Sequence, residues 1–280
     1  MFTKTISCLA FIMGLVASEN LQAEILVEEG FTGYPDNALI SQHPAGFAMG
    51  LQGDWVLDSE SDFYVNRSQL NLDEGTGKAV YDRPSDDNGK REAMRLTSEN
   101  HVLLSQDGDV FFASFLAHPS RSTGHMTMEL QLTQLSGGGQ RSISFGIIDG
   151  EFIVGNGGVE VDASGGNVIA EEMMLTLRVE NGDGHSGPDD TDRVTLWVNT
   201  DHQQQVPVID DVGINLLNRG GARLTAVSIR GEHMAGYPAF FDNLRVATQL
   251  ADILATQSIP TLSGWAIVSM LVLICLLYTS

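Results

Sequence analysis

The sequence predicts an all-β protein whose strands form two antiparallel sheets packed face to face. Three observations lead there. Short runs alternate apolar with polar residues, turn signals rich in Gly and Asp separate the runs, and no stretch of the central chain shows a competing helical period. Alternation also means that each sheet has one dry face and one wet face.

Taken in order, the strand candidates begin with Ile25–Val27. Val102–Leu104 and Val110–Leu116 follow, with Asp107-Gly108 turning the chain between them. Met126, Met128, Leu130 and Leu132 then share one side of a strand, which leaves Thr127, Glu129 and Gln131 on the wet side. Ile143, Phe145 and Ile147 alternate with Ser142, Ser144 and Gly146 in the same way. Asp149-Gly150, just before Phe152–Val154, is a two-residue hairpin signal, because both residues tolerate the positive φ such a turn needs. Asn156-Gly157-Gly158 marks another turn. Glu171, Glu172, Met173 and Met174 are expected to form a turn of helix ahead of the strand Leu175–Val179. Val194–Val198, Leu224–Ile229 and Phe240–Val246 complete the series, with Gly220-Gly221 as a turn. Many short strands with Gly-rich turns make a sandwich rather than an α/β fold.

The two ends differ from this pattern. Lys4 followed by an apolar run from Ile6 to Ala17 reads as a secretion signal, too short to span a bilayer. Cleavage after Ser18 or after Ala23 would leave a small residue at the cut, and Ala23 is preferred because a strand begins directly beyond it. At the other end, Trp265 to Tyr278 is apolar all round, which implies lipid contact. Ahead of it stand Ile259, Pro260, Thr261, Leu262 and Ser263, with Trp265 one residue further on. This resembles the IPTL-CTERM sorting tail of Gram-negative bacteria. The resemblance implies a membrane-embedded sorting protease of the exosortase type as partner, transient anchoring in the inner membrane, and delivery to the cell exterior. The expected division is therefore a signal peptide over 1–23, a sandwich over 24–252, a linker over 253–258 and a sorting segment over 259–280. Such tails normally finish with basic residues, yet no Lys or Arg follows Arg245. The last six residues, Cys275 to Ser280, also read like the translation of a transposon-end sequencing adapter. A longer natural tail is expected in their place.

Composition narrows the function. The chain has 36 Asp and Glu against 15 Lys and Arg, a formal net charge of −21, so nucleic acid is not an expected partner. An acidic surface does attract divalent cations. Cys8 and Cys275 both fall in the terminal segments, which leaves the sandwich without a disulfide, a thiolate metal site or a cysteine nucleophile. Roughly 235 residues between the ends suit one β domain.

Two segments refine the fold. Asp192-Arg-Val-Thr-Leu-Trp-Val-Asn199 resembles a strand of laminin-G-type domains, and Phe240-Phe-Asp-Asn-Leu-Arg-Val246 is similar to the strand that closes such domains in bacterial surface proteins. Together with the strand pattern they resemble the concanavalin A-like lectin and glucanase jelly roll, over about residues 24 to 252. That resemblance implies carbohydrate or matrix binding or a structural place in the envelope exterior, with glycan hydrolysis as the alternative. It also implies that Asp242 lies beside the first strand, where it could share a structural calcium ion with Glu28 or Glu29.

Glycanases of this fold carry paired carboxylates on one strand, and Glu160-Val-Asp162 is the nearest approach, lacking the third acid. No nucleophile elbow surrounds Ser144, and the seven histidines show no metal-ligand spacing. No catalytic residue is therefore assigned. The acidic segment with Asp183, Asp189 and Asp190 is a candidate calcium loop, although its spacing is not that of an EF-hand. A binding surface would need exposed side chains such as Trp55, Tyr64 or Trp197. Alternation turns Trp197 away from Leu196 and Val198, either toward a sugar or into packing.

Overall fold

The computed structural model describes residues 25–31, 34–36, 38–42, 48–57, 63–65, 80–82, 91–105, 108–119, 125–135, 139–156, 160–168, 171–182, 192–199, 206–214, 221–232 and 239–254. Within them the chain is almost wholly extended. Its strands are β1 (Ile25–Glu29), β2 (Leu51–Leu57), β3 (Phe63–Val65), β4 (Val80–Asp82), β5 (Arg91–Leu104), β6 (Val110–Pro119), β7 (His125–Gln134) and β8 (Gln140–Ile148). They continue with β9 (Glu151–Asn156), β10 (Glu160–Asn167), β11 (Met173–Glu180), β12 (Asp192–Asn199), β13 (Val206–Ile214), β14 (Ala222–Glu232) and β15 (Ala239–Ala247). A 3-10 turn at Ile40–Gln42 and a short helix α1 (Leu250–Leu254) are the described helical pieces. The expected helical turn at Met173 and Met174 is instead the start of β11, because Met173 fills the dry face opposite Ala117 of β6.

All pairings are antiparallel and fall into two sheets. The first runs β13-β12-β11-β6-β15, and the far side of β15 takes β1 along part of its length and β4, with β3 beyond, along the rest. The second runs β10-β9-β8-β7-β14-β5-β2. The expected two-sheet sandwich is therefore present. As the Phe240–Val246 resemblance implied, the closing strand β15 lies beside β1. Asp149 (φ 48) and Gly150 (φ 89) form the tight turn joining β8 to β9.

The sheets are joined by their inner faces. Phe115 of β6 meets Phe145 of β8 edge-on at 5.4 Å between ring centroids, stacks on Phe241 of β15 at 5.9 Å, and Phe241 in turn meets Phe63. All four rings are buried, each contributing about 1.5–3 kcal/mol of hydrophobic stabilisation. At one edge β10 runs close against β13 of the other sheet, where a Cβ on Gly165 would stand 2.2 Å from the Val208 carbonyl oxygen. At the C-terminal side α1 extends the described chain to Leu254, with Ile253 buried. The segments read as signal peptide and sorting tail, including Ile259, Pro260, Thr261, Leu262, Ser263 and Trp265, lie outside the described residues. Among those described, no helix is long and apolar enough to cross a membrane.

Candidate functional site

Among the described residues, the outer face of the seven-stranded sheet carries a polar concavity. Alternation in β7 turns Thr127, Glu129, Gln131 and Thr133 outward, as the pattern Met126 to Leu132 predicted. Register then sets their neighbours: Thr133 faces Gln140, Gln131 faces Ser142, and Glu129 faces Ser144 on β8. On the other side, β14 places Arg223 opposite Thr133 and Ser228 opposite Glu129. A bulge between Leu224 and Ala226 lets the Thr225 hydroxyl donate to the Gln131 carbonyl oxygen at 3.1 Å, which holds β7 and β14 in this register.

This face has two halves. Toward one end His125, Thr127, Ser144, Ser228 and Arg230 are buried, with His125 Nε2 3.2 Å from the Thr127 hydroxyl and the Ser144 hydroxyl donating to the Gly155 carbonyl oxygen at 3.3 Å. β8 lies tight against β7 here, since Gly146 has φ 151 and an added Cβ would stand 2.1 Å from the Met126 carbonyl oxygen. Toward the other end the face opens into a groove of about 230 Å³ lined by Glu129, Gln131, Gln140, Arg141 and Ser142. Ligand pockets for compact molecules occupy about 300–1,000 Å³ and enclose most of the ligand. A smaller, open groove suits one or two units of a chain that lies across the sheet. The side chains of Glu129, Gln131, Gln140 and Ser142 offer it amide donors and acceptors, a hydroxyl and a carboxylate, the complement of a polyhydroxylated ligand, whereas Arg141 stands in register with core-facing Leu132 and its side chain turns to the other face. Among the described lining residues the carboxylate is Glu129.

The other residues singled out from sequence are dispersed. Glu29 points inward between the sheets, where Arg95 Nη1 meets Glu29 Oε2 at 2.7 Å and the Phe31 N–H donates to Oε1 at 2.9 Å. Both side chains are 2 % exposed. Burial raises the Glu29 carboxyl above the usual carboxylate range, against the lowering by the Phe31 N–H and Arg95. Asp242 faces the opposite side of the eight-stranded sheet, in register with Leu116, and its Oδ1 accepts from the Asn243 N–H at 2.7 Å. Asp242 and Glu29 therefore cannot converge on one ion. Glu28 does share the face of Asp242, but it is paired with Arg245 at 2.8 Å. Among the described residues no three His, Cys, Asp or Glu side chains are grouped as a metal site. Asp183, Asp189 and Asp190 lie outside those residues. Glu160 and Asp162 are in β10, at the sheet's edge, four strands from β14.

The aromatic expectations divide. Trp55 is core, 1 % exposed and packed on Phe31, so it offers no platform. Trp197 is half-buried and turns outward on the eight-stranded sheet, opposite Thr176 and Pro207, away from both the core and the groove. Tyr64 sits half-buried in the short β3. The groove residues Gln140 and Arg141 had no sequence signal beyond their place after the Gly137-Gly138-Gly139 turn; Glu129, Gln131 and Ser142 were legible as wet-face positions.

No family model matches this chain, and no curated protein does. Solved structures similar to it include the globular domain of T. cruzi calreticulin, at 10% identity and a TM-score of 0.46 over 82% of this chain and 90% of that one. A conserved carbohydrate esterase from the Shiga toxin-encoding bacteriophage phi24B is similar at 15% identity and 0.44, over 80% and 98%. The lectin UEA-II complexed with galactose is similar at 10% identity and 0.40, over 69% and 91%. At these scores the likeness decides nothing about the site, which stands on this chain's own residues.

Proposed function

We propose that this protein is an exported, non-catalytic β-sandwich of the concanavalin A-like kind that binds carbohydrate or another matrix component outside the cell. One observation carries the binding reading: the open groove whose lining side chains are polar and can pair with sugar hydroxyls from both sides of β7 and β8. Export is supported by the sequence alone, through the apolar run Ile6–Ala17 and the sorting motif Ile259–Ser263 with Trp265.

A glycan array probed with the full chain, followed by calorimetric titration of retained glycans, tests the binding reading. Gln131→Ala and Ser142→Ala are expected to weaken binding about tenfold each, the size of one or two lost hydrogen bonds, while leaving the melting temperature unchanged. Retention of no glycan, or variants that bind as tightly as the parent, would overturn it. Release of reducing ends that disappears in Glu160→Gln or Asp162→Asn would replace it with the hydrolase reading. Export is tested by mass spectrometry of the protein recovered from cells: a start at Glu24 and loss of the segment after Ser263 are expected.

A further inference from the structure

Over β7 and β8 the outer face of the seven-stranded sheet is polar, but beyond β14 the same face becomes apolar. Among the described residues six large apolar side chains are exposed, and three of them stand on β2 and β5: Val56 at 61 %, Leu96 at 50 % and Val102 at 45 %. Register puts all three on the face of the groove. Val102 is opposite exposed Arg223, and Leu96 is opposite Ala226, which has the groove residue Gln131 as its other partner. Val56 pairs with Met94, two residues from Leu96 along β5, so Val56 and Leu96 are diagonal neighbours about 7–8 Å apart. Two strand spacings, about 9–10 Å, separate Leu96 from Gln131. Ala226 between them carries only a methyl group, so no large side chain in that row divides the apolar strip from the polar groove.

We propose that this face takes a neutral glycan substituted with acetyl groups, its hydroxyls paired in the groove and its acetyl methyls laid on Val56, Leu96 and Val102. The inference rests on the carbohydrate-binding reading of the same groove. Binding surfaces combine apolar area with a few directed polar groups, and here the two stand side by side. The aromatic side chains that could stack on a bare sugar ring are elsewhere: Trp55 turns into the core, and Tyr64 and Trp197 belong to the other sheet. Branched aliphatic side chains match small methyl-bearing groups instead, and each methyl group moved out of water favours binding about fourfold. An anionic lipid surface also offers apolar groups, but a chain of net charge −21 is repelled by it.

Calorimetric titration of the full chain tests this with two matched pairs: cellotetraose against tetra-N-acetylchitotetraose, and xylotetraose against its O-acetylated form. At least one acetylated probe is expected to bind about fourfold or more tightly than its unsubstituted partner, and which one does so names the amide or the ester as the linkage read. Leu96→Thr and Val56→Thr keep strand-forming residues at exposed positions. Each is expected to erase most of that preference and to bind the unsubstituted probe as the parent does, with melting curves confirming that the variants fold. Equal binding of acetylated and unsubstituted probes, or variants that keep the parent's preference, would overturn the acetyl reading and leave the glycan reading standing. A chain that sediments as a dimer and becomes a monomer in Leu96→Thr would overturn it too, by assigning the strip to a second copy. Binding of no oligosaccharide at all would remove both readings.

Discussion

At the scale of single residues, the pair Glu29 and Arg95 shows how position decides chemistry. Glu28 and Glu29 are neighbours in sequence, but a strand turns them to opposite faces, one toward Arg245 on the outside and the other toward Arg95 between the sheets. Removing one member of a buried pair leaves the other charge desolvated, at about 3–5 kcal/mol. Arg95→Met should therefore lower unfolding free energy by that order in a denaturant titration, and adding Glu29→Leu should restore most of the loss. A pH dependence follows as well. Because burial holds the Glu29 carboxyl above its ordinary value, its contribution to stability is full below the unfolded-state pKa and declines as pH rises through the folded value. Glu29→Gln should flatten that decline when unfolding is measured across the range above pH 4.5.

At the scale of elements, Gly146 is the sharpest test of the sheet behind the groove. Its φ of 151 and the 2.1 Å approach to the Met126 carbonyl oxygen leave no room for a side chain. Gly146→Ala should cost about 1–3 kcal/mol, and it should weaken glycan binding as β8 moves off β7. A smaller effect than Gly108→Ala, where an added Cβ meets nothing within 4 Å, would show that the strands are less tightly apposed than described. Strands with clean alternation, such as β7, β8 and β11, were legible from the sequence. Others were hidden for identifiable reasons. In β5, Arg95 points inward while Leu96 is exposed, which inverts the expected pattern. In β2 a bulge between Gln52 and Val56 breaks the period, β10 is rich in Gly, and β13 carries Pro207 and a bulge beside Asp211, whose φ is 51. The groove was half legible: periodicity gave Glu129, Gln131 and Ser142 their face, but the pairing of β7 with β14, which brings Arg223 alongside, joins residues some ninety positions apart.

At the scale of the whole molecule, a net charge of −21 sets the response to ions. Raising monovalent salt from about 0.01 M to about 0.15 M shortens the Debye length from about 30 Å to about 8 Å, so self-repulsion fades and the melting temperature should rise. Calcium at matched ionic strength should raise it further if Asp183, Asp189 and Asp190 form a site, and Asp189→Asn with Asp190→Asn should erase the increment. Identical melting in calcium and in chelator would remove that site. The pairing of β1 with β15 has a mechanical consequence of its own. Ile25 lies opposite Ala247, so a pull on the first and last strands loads their shared ladder at one end rather than along its length. Under tension the domain would unzip one hydrogen bond at a time, with the Glu28–Arg245 and Glu29–Arg95 pairs as the next points of resistance, and would yield at low force compared with a sandwich whose terminal strands are sheared.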